Sequence, residues 1–173
     1  MVLIRAANVA DAAAIAALYR PYVEETRASF EEAAPGAAEI ARRIAGGEIA
    51  YPWLVAEIDA IVVGYSSSTA FRQRSAYRWA VETGVYVAPE VQRRGIARAL
   101  GARLIDELSA RGFVTAVAGI TLPNGASIAL HEALGYAQVG QIVGAGYKLG
   151  AWADIGYWQR DLAERCNPPT EPG

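Results

Sequence analysis

The chain has 173 residues, 16 basic and 18 acidic side chains, one cysteine and one histidine. This length predicts one domain, residues 1–165, with a flexible Pro-rich tail at 166–173. The near-neutral charge excludes a protein built to neutralise nucleic-acid backbone, and the lone Cys166 and lone His131 exclude a disulfide framework or a Cys- or His-rich metal centre.

Val2 to Arg5 reads as a short strand. Asp11 is placed to cap a helix from Ala12 to Glu25, where Ile15, Leu18, Tyr19 and Tyr22 recur at helical spacing. A loop carrying Phe30 follows, then a helix from Ala37 to Ala45 stopped by Gly46 and Gly47. Trp53–Glu57 and Ile61–Thr69 read as strands joined by a turn at Asp59, and Tyr77–Val87 as a longer strand with Gly84 inside it. Gly95–Arg111 is an amphipathic helix, with Leu100, Leu104, Ile105 and Leu108 on one face. Val114–Ile120 is a continuous apolar strand of the kind buried on both faces. A helix from Asn124 to Leu134 ends at Gly135, and the last strands run near Gln138–Leu149 and Ile155–Leu162. The order is mixed α/β: antiparallel strands first, then a β-α-β crossover. Arg5 and Asp11 interrupt the N-terminal apolar stretch, and the longest apolar run, Phe113 to Leu122, is half the roughly 20 residues of a membrane helix. The expected location is the cytoplasm, with no membrane, metal or nucleic-acid partner.

The most informative stretch is Val85-Tyr86-Val87-Ala88-Pro89-Glu90-Val91-Gln92-Arg93-Arg94-Gly95-Ile96-Ala97. A strand ends, a turn follows, and a helix opens at a run of two arginines and a glycine. Unpaired N–H groups at a helix N-terminus bind phosphate, glycine lets the backbone approach, and Arg93 and Arg94 add charge. The run lacks the Gly-Lys-Ser/Thr of a nucleotide loop and the GxGxxG of a dinucleotide fold. A solvated basic turn is the competing reading.

Gln92-x-x-Gly95-x-Ala97 after Val85-Tyr86-Val87, followed later by Asn124, Ser127, His131 and Gly135-Tyr136, resembles the GCN5-related N-acetyltransferase superfamily (GNAT). The strings YPWLVAE, AYRWAVETGVYV, QRRGIA, LPNGAS, LHEALGY and GYKLGAWADIGYWQRDL resemble its phosphinothricin and methionine sulfoximine/sulfone acetyltransferase subfamily over nearly the whole chain. The resemblance implies a mixed, mostly antiparallel sheet of about seven strands with four flanking helices. It also implies acetyl-CoA as co-substrate, a small amino acid as acceptor, and a homodimer. It places the CoA pyrophosphate on the backbone from Arg93 through Arg94, Gly95, Ile96 and Ala97 to Arg98, the pantetheine arm along Val85, Tyr86 and Val87, and Asn124 and Ser127 beside that arm. One departure bears on the acceptor: Ala80 stands where phosphinothricin enzymes have Thr. A different amine, such as a protein N-terminus, and a non-catalytic acyl-CoA-binding module stay open as alternatives.

Acetyl transfer requires a base for the amine, a donor to the oxyanion, and a proton for the leaving thiolate. A carboxylate in an apolar strand is costly unless paired or working. Glu82 is therefore the candidate base, against an ion pair with Arg72, Arg74 or Arg78. His131 occupies the register in which many relatives carry a tyrosine that protonates the thiolate, and its roles are acid or thiol-orienting group. An amino-acid carboxylate calls for a forked Arg donor, so Arg72 and Arg74 are candidate anchors, with Thr83 as hydroxyl partner and Phe30 and Tyr77 as pocket walls. Lys148, the only lysine, reads as an interface or pocket-edge residue.

Overall fold

The computed structural model describes residues 1–47 and 51–173. In chain order these form β1 (Val2–Ala6), α1 (Ala12–Glu24), α2 (Ala37–Gly47), β2 (Trp53–Ile58), β3 (Ile61–Ala70), β4 (Ala80–Val87), α3 (Ile96–Ala110), β5 (Thr115–Leu122), α4 (Gly125–Ala133), β6 (Ala137–Lys148) and β7 (Ala151–Asp161). The strands make one seven-stranded sheet in the order β1-β2-β3-β4-β5-β7-β6. Every neighbouring pair is antiparallel except β4 and β5. The expected mixed, mostly antiparallel architecture is the observed one.

Helices cover both faces, and strand alternation sorts side chains between them. On one face, Leu100, Leu104 and Leu108 of α3 pack against Val81, Ala116, Ala118 and Trp158, all buried. On the other, Ile15 and Val23 of α1 and Ile40 and Ile44 of α2 cover Trp53, Val55 and Tyr65. At the usual ~1.5–3 kcal/mol per large apolar side chain, these two layers supply the main drive to fold.

The parallel β4–β5 ladder is short. It runs only from Ala80↔Thr115 through Val81↔Ala116 to Glu82↔Val117, and beyond it β4 from Thr83 to Val87 has no strand partner on its β5 side. The Thr83 hydroxyl lies at the fork, donating to the Val117 carbonyl (3.3 Å). The sheet therefore opens into a wedge, and that wedge positions the site.

Local chemistry departs from expectation in a few places. Asn8 caps the 3-10 turn Val9–Asp11 in a reciprocal capping box, whereas the Asp11 carboxylate accepts from Arg5 (2.7 and 2.8 Å) and makes no cap bond at α1. The Arg5 fork reaches both Asp11 and Glu57, so the acid is held by charge across the chain. The strand expected from Tyr77 begins at Ala80: Ser75–Tyr77 is a 3-10 turn whose backbone bonds locally, Tyr77 N–H to Arg74 O and Arg78 N–H to Ser75 O. The last strand begins earlier than expected, at Ala151. Leu149 and Gly150, with φ of 50° and 75°, make the two-residue turn whose twist suits a hairpin. α2 runs through Gly46 and Gly47. In the tail, Thr170 O accepts from Trp79 Nε1 (2.7 Å), Glu171 pairs with Arg78 (2.7 Å) and Gly173 N–H donates to Arg111 O (3.0 Å).

Candidate active site

A cavity of about 1450 Å³ follows the wedge, lined by β3, the open part of β4, β5, the start of α3, α4 and the α1–α2 connection. At one end is the turn before α3. Arg93 and Gly95 both have positive φ (60° and 79°), a reversal that only Gly95 makes without Cβ strain. Gly95 caps α3 without a side chain, leaving the first-turn amides open. Gln92, Arg93, Gly95, Ile96, Ala97 and Arg98 line the cavity; Arg94 does not. Arg93, Arg94 and Arg98 are charged groups with no ion-pair partner among the described residues. The Gln92 amide donates to the Tyr22 hydroxyl (3.2 Å), which donates to Val87 O (2.5 Å), tying this turn and the β4 edge to α1.

Glu82 stands at the fork, on the α1–α2 face. A Cβ built on Gly119 of β5 would sit 3.4 Å from Glu82 Oε1. Glu82 forms none of the ion pairs among the described residues; Arg78 is engaged with Glu171, and the Arg72 guanidinium lies over the Phe71 ring, 4.2 Å from its centroid. Burial pushes the Glu82 carboxyl above its ordinary 4.5, with the Arg72 charge opposing. A carboxyl so placed is a stronger base than a solvated one.

On the opposite face, His131 of α4 is 5% exposed. Its Nδ1–H donates to Ser127 O (2.8 Å), which leaves the Nε2 lone pair as the free position. Burial lowers its pKa from 6.5. A proton at Nε2 therefore requires an imidazolium in a buried site, and the ring is built to accept a hydrogen bond there. Its edge packs on Tyr136 (centroids 5.2 Å apart), and the Tyr136 hydroxyl meets Thr83 Oγ1 at 3.0 Å. The Thr83 hydroxyl is thus engaged on the His131 face, away from Glu82, so it is not the free acceptor-side partner expected from sequence. Asn124 caps α4, its Oδ1 accepting from Ser127 N–H (3.1 Å); both residues line the cavity.

The proposed anchors and walls sit elsewhere. Arg72 and Arg74 are on an exposed turn and do not line the cavity. Tyr77 lines a separate cavity of about 490 Å³ with Trp79 and Cys166. Phe30 packs against β6, where a Cβ on Gly146 would lie 2.7 Å from its ring. The pocket wall comes instead from residues the sequence reading passed over. Tyr65 stacks between Trp53 (5.8 Å) and Tyr86 (5.3 Å), and Tyr19 meets Tyr86 edge-on (4.8 Å). Arg43 forks onto Glu31 (2.8 and 2.9 Å) and holds its carboxyl below the ordinary range. Lys148 is buried, its Nζ donating to Ser29 O (2.6 Å), while Ser29 Oγ meets the Tyr19 hydroxyl at 2.6 Å. The available signal for these was the alternation in GYSSSTA and the clustering of aromatics on three strands and one helix face; neither gives spatial neighbours without the sheet order.

The acetyltransferase (GNAT) domain family matches residues 4–156. Phosphinothricin N-acetyltransferase of Streptomyces viridochromogenes is 40% identical over 170 residues, covering 98% of this chain and 93% of that protein. The L-methionine sulfoximine/L-methionine sulfone acetyltransferase of Salmonella typhimurium is 38% identical, covering 95% and 97%. Among solved structures, a GNAT superfamily phosphinothricin acetyltransferase from Sinorhizobium meliloti in complex with AcCoA superposes with a TM-score of 0.90 at 38% identity, covering 99% of this chain and 93% of that one.

Proposed function

The chain belongs to the GNAT acetyltransferase family, and from that premise we propose that it moves the acetyl group of acetyl-CoA onto the α-amino group of a phosphinothricin-like or methionine sulfone-like amino acid. The observation that carries this reading is a half-buried carboxylate, in no ion pair among the described residues, at the vertex of an open β4–β5 wedge. One end of that wedge is an anion-binding turn and the other an aromatic, polar pocket. Acetyl-CoA fits as co-substrate: the first-turn amides of α3 with Arg93 and Arg98 would hold the pyrophosphate, and the unpaired edge at Val85–Val87 would pair with the amide-bearing arm, with Asn124 and Ser127 beside it.

Glu82 takes a proton from the acceptor ammonium, directly or through water. The freed nitrogen attacks the thioester carbonyl, the C–N bond forms as the C–S bond breaks, the second proton leaving the nitrogen passes to the thiolate, and Glu82 gives its proton up to solvent. A backbone N–H near Tyr86 or Val87 stabilises the oxyanion, and His131 orients the thiol through Nε2. Direct transfer requires no enzyme nucleophile.

We also propose a homodimer. β6 ends the sheet, and Val139, Ile142, Val143 and Tyr147 on it are exposed, as are Leu149 and Trp152 beyond its turn. From Ala137 to Tyr147 the strand carries no charged side chain. A long apolar edge without protective charge is a pairing surface, and a twofold repeat of the same edge satisfies it. The exposed Arg74–Tyr77 turn would contribute across that assembly.

The test is thiol release from acetyl-CoA against phosphinothricin, methionine sulfoximine, methionine sulfone, the common amino acids and short peptides. Selective turnover of the first three supports the reading. Turnover confined to peptides, or CoA binding without turnover of any amine, overturns it.

A further inference from the structure

β3 carries five hydroxyls in a row, Tyr65 to Thr69, and the sheet divides them. Ser66 and Ser68 face α3, fully buried, with Oγ donating to Leu100 O (3.5 Å) and Pro52 O (3.1 Å). Tyr65, Ser67 and Thr69 face the other way and line the cavity, opposite Tyr86, Gly84 and Glu82 in the β3–β4 register. Tyr65 is the telling one. It is 3% exposed, yet its hydroxyl has no hydrogen-bond partner among the described residues, and no buried side-chain polar atom among them is sealed without a partner. The oxygen therefore opens on the cavity.

Its ring is fixed. Trp53 stacks on one neighbouring strand (5.8 Å, 5°), Tyr86 on the other (5.3 Å, 23°), and Tyr19 meets it edge-on (6.1 Å). Burial pushes its ionisation well above the ordinary tyrosine value, so the group stays an O–H donor. Thr69 pairs with Glu82 and Tyr65 with Tyr86, so the Cα atoms of Tyr65 and Thr69 are ~13 Å apart along the strand. The Tyr86 ring, on which Tyr65 stacks, leans back towards Glu82, its Cε2 lying 3.6 Å from a Cβ built on Gly84. An extended amino acid with its amine at Glu82 would lie along this row, its side-chain end towards Tyr65.

The geometry points to Tyr65 as a specificity-determining residue whose hydroxyl donates to an oxygen at the tip of the acceptor side chain, the tetrahedral P–O or S–O group, and so selects it over an unoxidised thioether. This rests on the amino-acid acetyltransferase reading above. A site built to hydrogen-bond a substrate oxygen discriminates against the analogue that lacks it.

The test is Tyr65→Phe assayed with methionine sulfone and with methionine, which share amine and carboxylate and differ only in the sulfur oxygens. Methionine is measured both as substrate and as competitive inhibitor. The wild type is expected to favour the sulfone; the variant loses about tenfold in kcat/KM for the sulfone, the scale of one hydrogen bond, and leaves methionine unchanged. Its Tm stays at the wild-type value, because no protein bond is removed. An equal fall for both compounds places the hydroxyl on the shared amino-acid portion and overturns the proposal. So does no change in either, or a wild type with no preference for the sulfone. A wild type that acetylates phosphinothricin but neither of these compounds overturns this inference alone, and one that acetylates none of the three overturns the acceptor reading with it.

Discussion

A single carboxylate, the proposed base, also carries a cost in stability. Burial raises the Glu82 pKa above 4.5, so the folded state favours the protonated form. The resulting penalty is absent below the ordinary carboxylate range, where both folded and unfolded chains carry the proton, and is fully present above the raised folded value. Glu82→Gln is therefore expected to raise Tm at pH 7, with the gain vanishing below about pH 4.5, while kcat falls by about 10²–10⁴-fold. Equal Tm values at pH 7, or near-normal turnover, contradict the assignment. His131 makes the opposite kind of statement. With Nδ1–H held by Ser127 O and burial disfavouring a second proton, His131→Ala should lower kcat at most about 10²-fold and leave the pH profile unchanged. Loss of an alkaline limb in that variant would restore it as the acid. The sequence carried both residues as types in register; the His131 tautomer rests on a local helix bond to Ser127 O, whereas the lack of an ion-pair partner for Glu82 among the described residues depends on neighbours remote in the chain.

Among the elements, the α1–α2 connection is held from three directions. Tyr19 reaches Ser29 and Glu31 from α1, Arg43 reaches Glu31 from α2, and Lys148 reaches Ser29 O from β6. The interface or pocket-edge role expected for Lys148 gives way to a buried tie, because its partner Ser29 lies 119 positions away in the chain. Its burial lowers its pKa, with Glu31 and Glu32 opposing, and the Ser29 bond ties a cavity-lining segment to the hairpin. Lys148→Met removes that donor without shortening the apolar stem. The expected cost is about 1–3 kcal/mol in urea unfolding, with KM for the amino-acid acceptor raised and KM for acetyl-CoA unchanged. Equal effects on both Michaelis constants show a general loss of fold instead. Element positions were otherwise well forecast where apolar periodicity was strong, as in α3, and displaced where local turns bonded to themselves, as at Ser75–Tyr77.

For the whole molecule, the unpartnered β6 edge is the feature the monomer does not explain. Val143 is 79% exposed on that edge, so Val143→Lys removes nothing from the folded subunit. Sedimentation should shift the variant from dimer towards monomer at unchanged monomer Tm. A wild-type chain that sediments as a monomer, or a dimer indifferent to the charge, removes the proposed interface. By itself the sequence determined the order of elements, the glycine turn at Gln92–Ala97 that opens α3 and the family, since these rest on spacing within a few residues and on turn chemistry that local φ preferences dictate. Only the tertiary structure decided which side of the sheet each side chain serves. Alternation assigns Thr83 to Tyr136 and Tyr65 to the cavity, and it does so through cross-strand register and the point at which β4 and β5 part. Those are properties of pairings between distant segments, where a shift of one residue exchanges the two faces, and no count of composition or charge contains them.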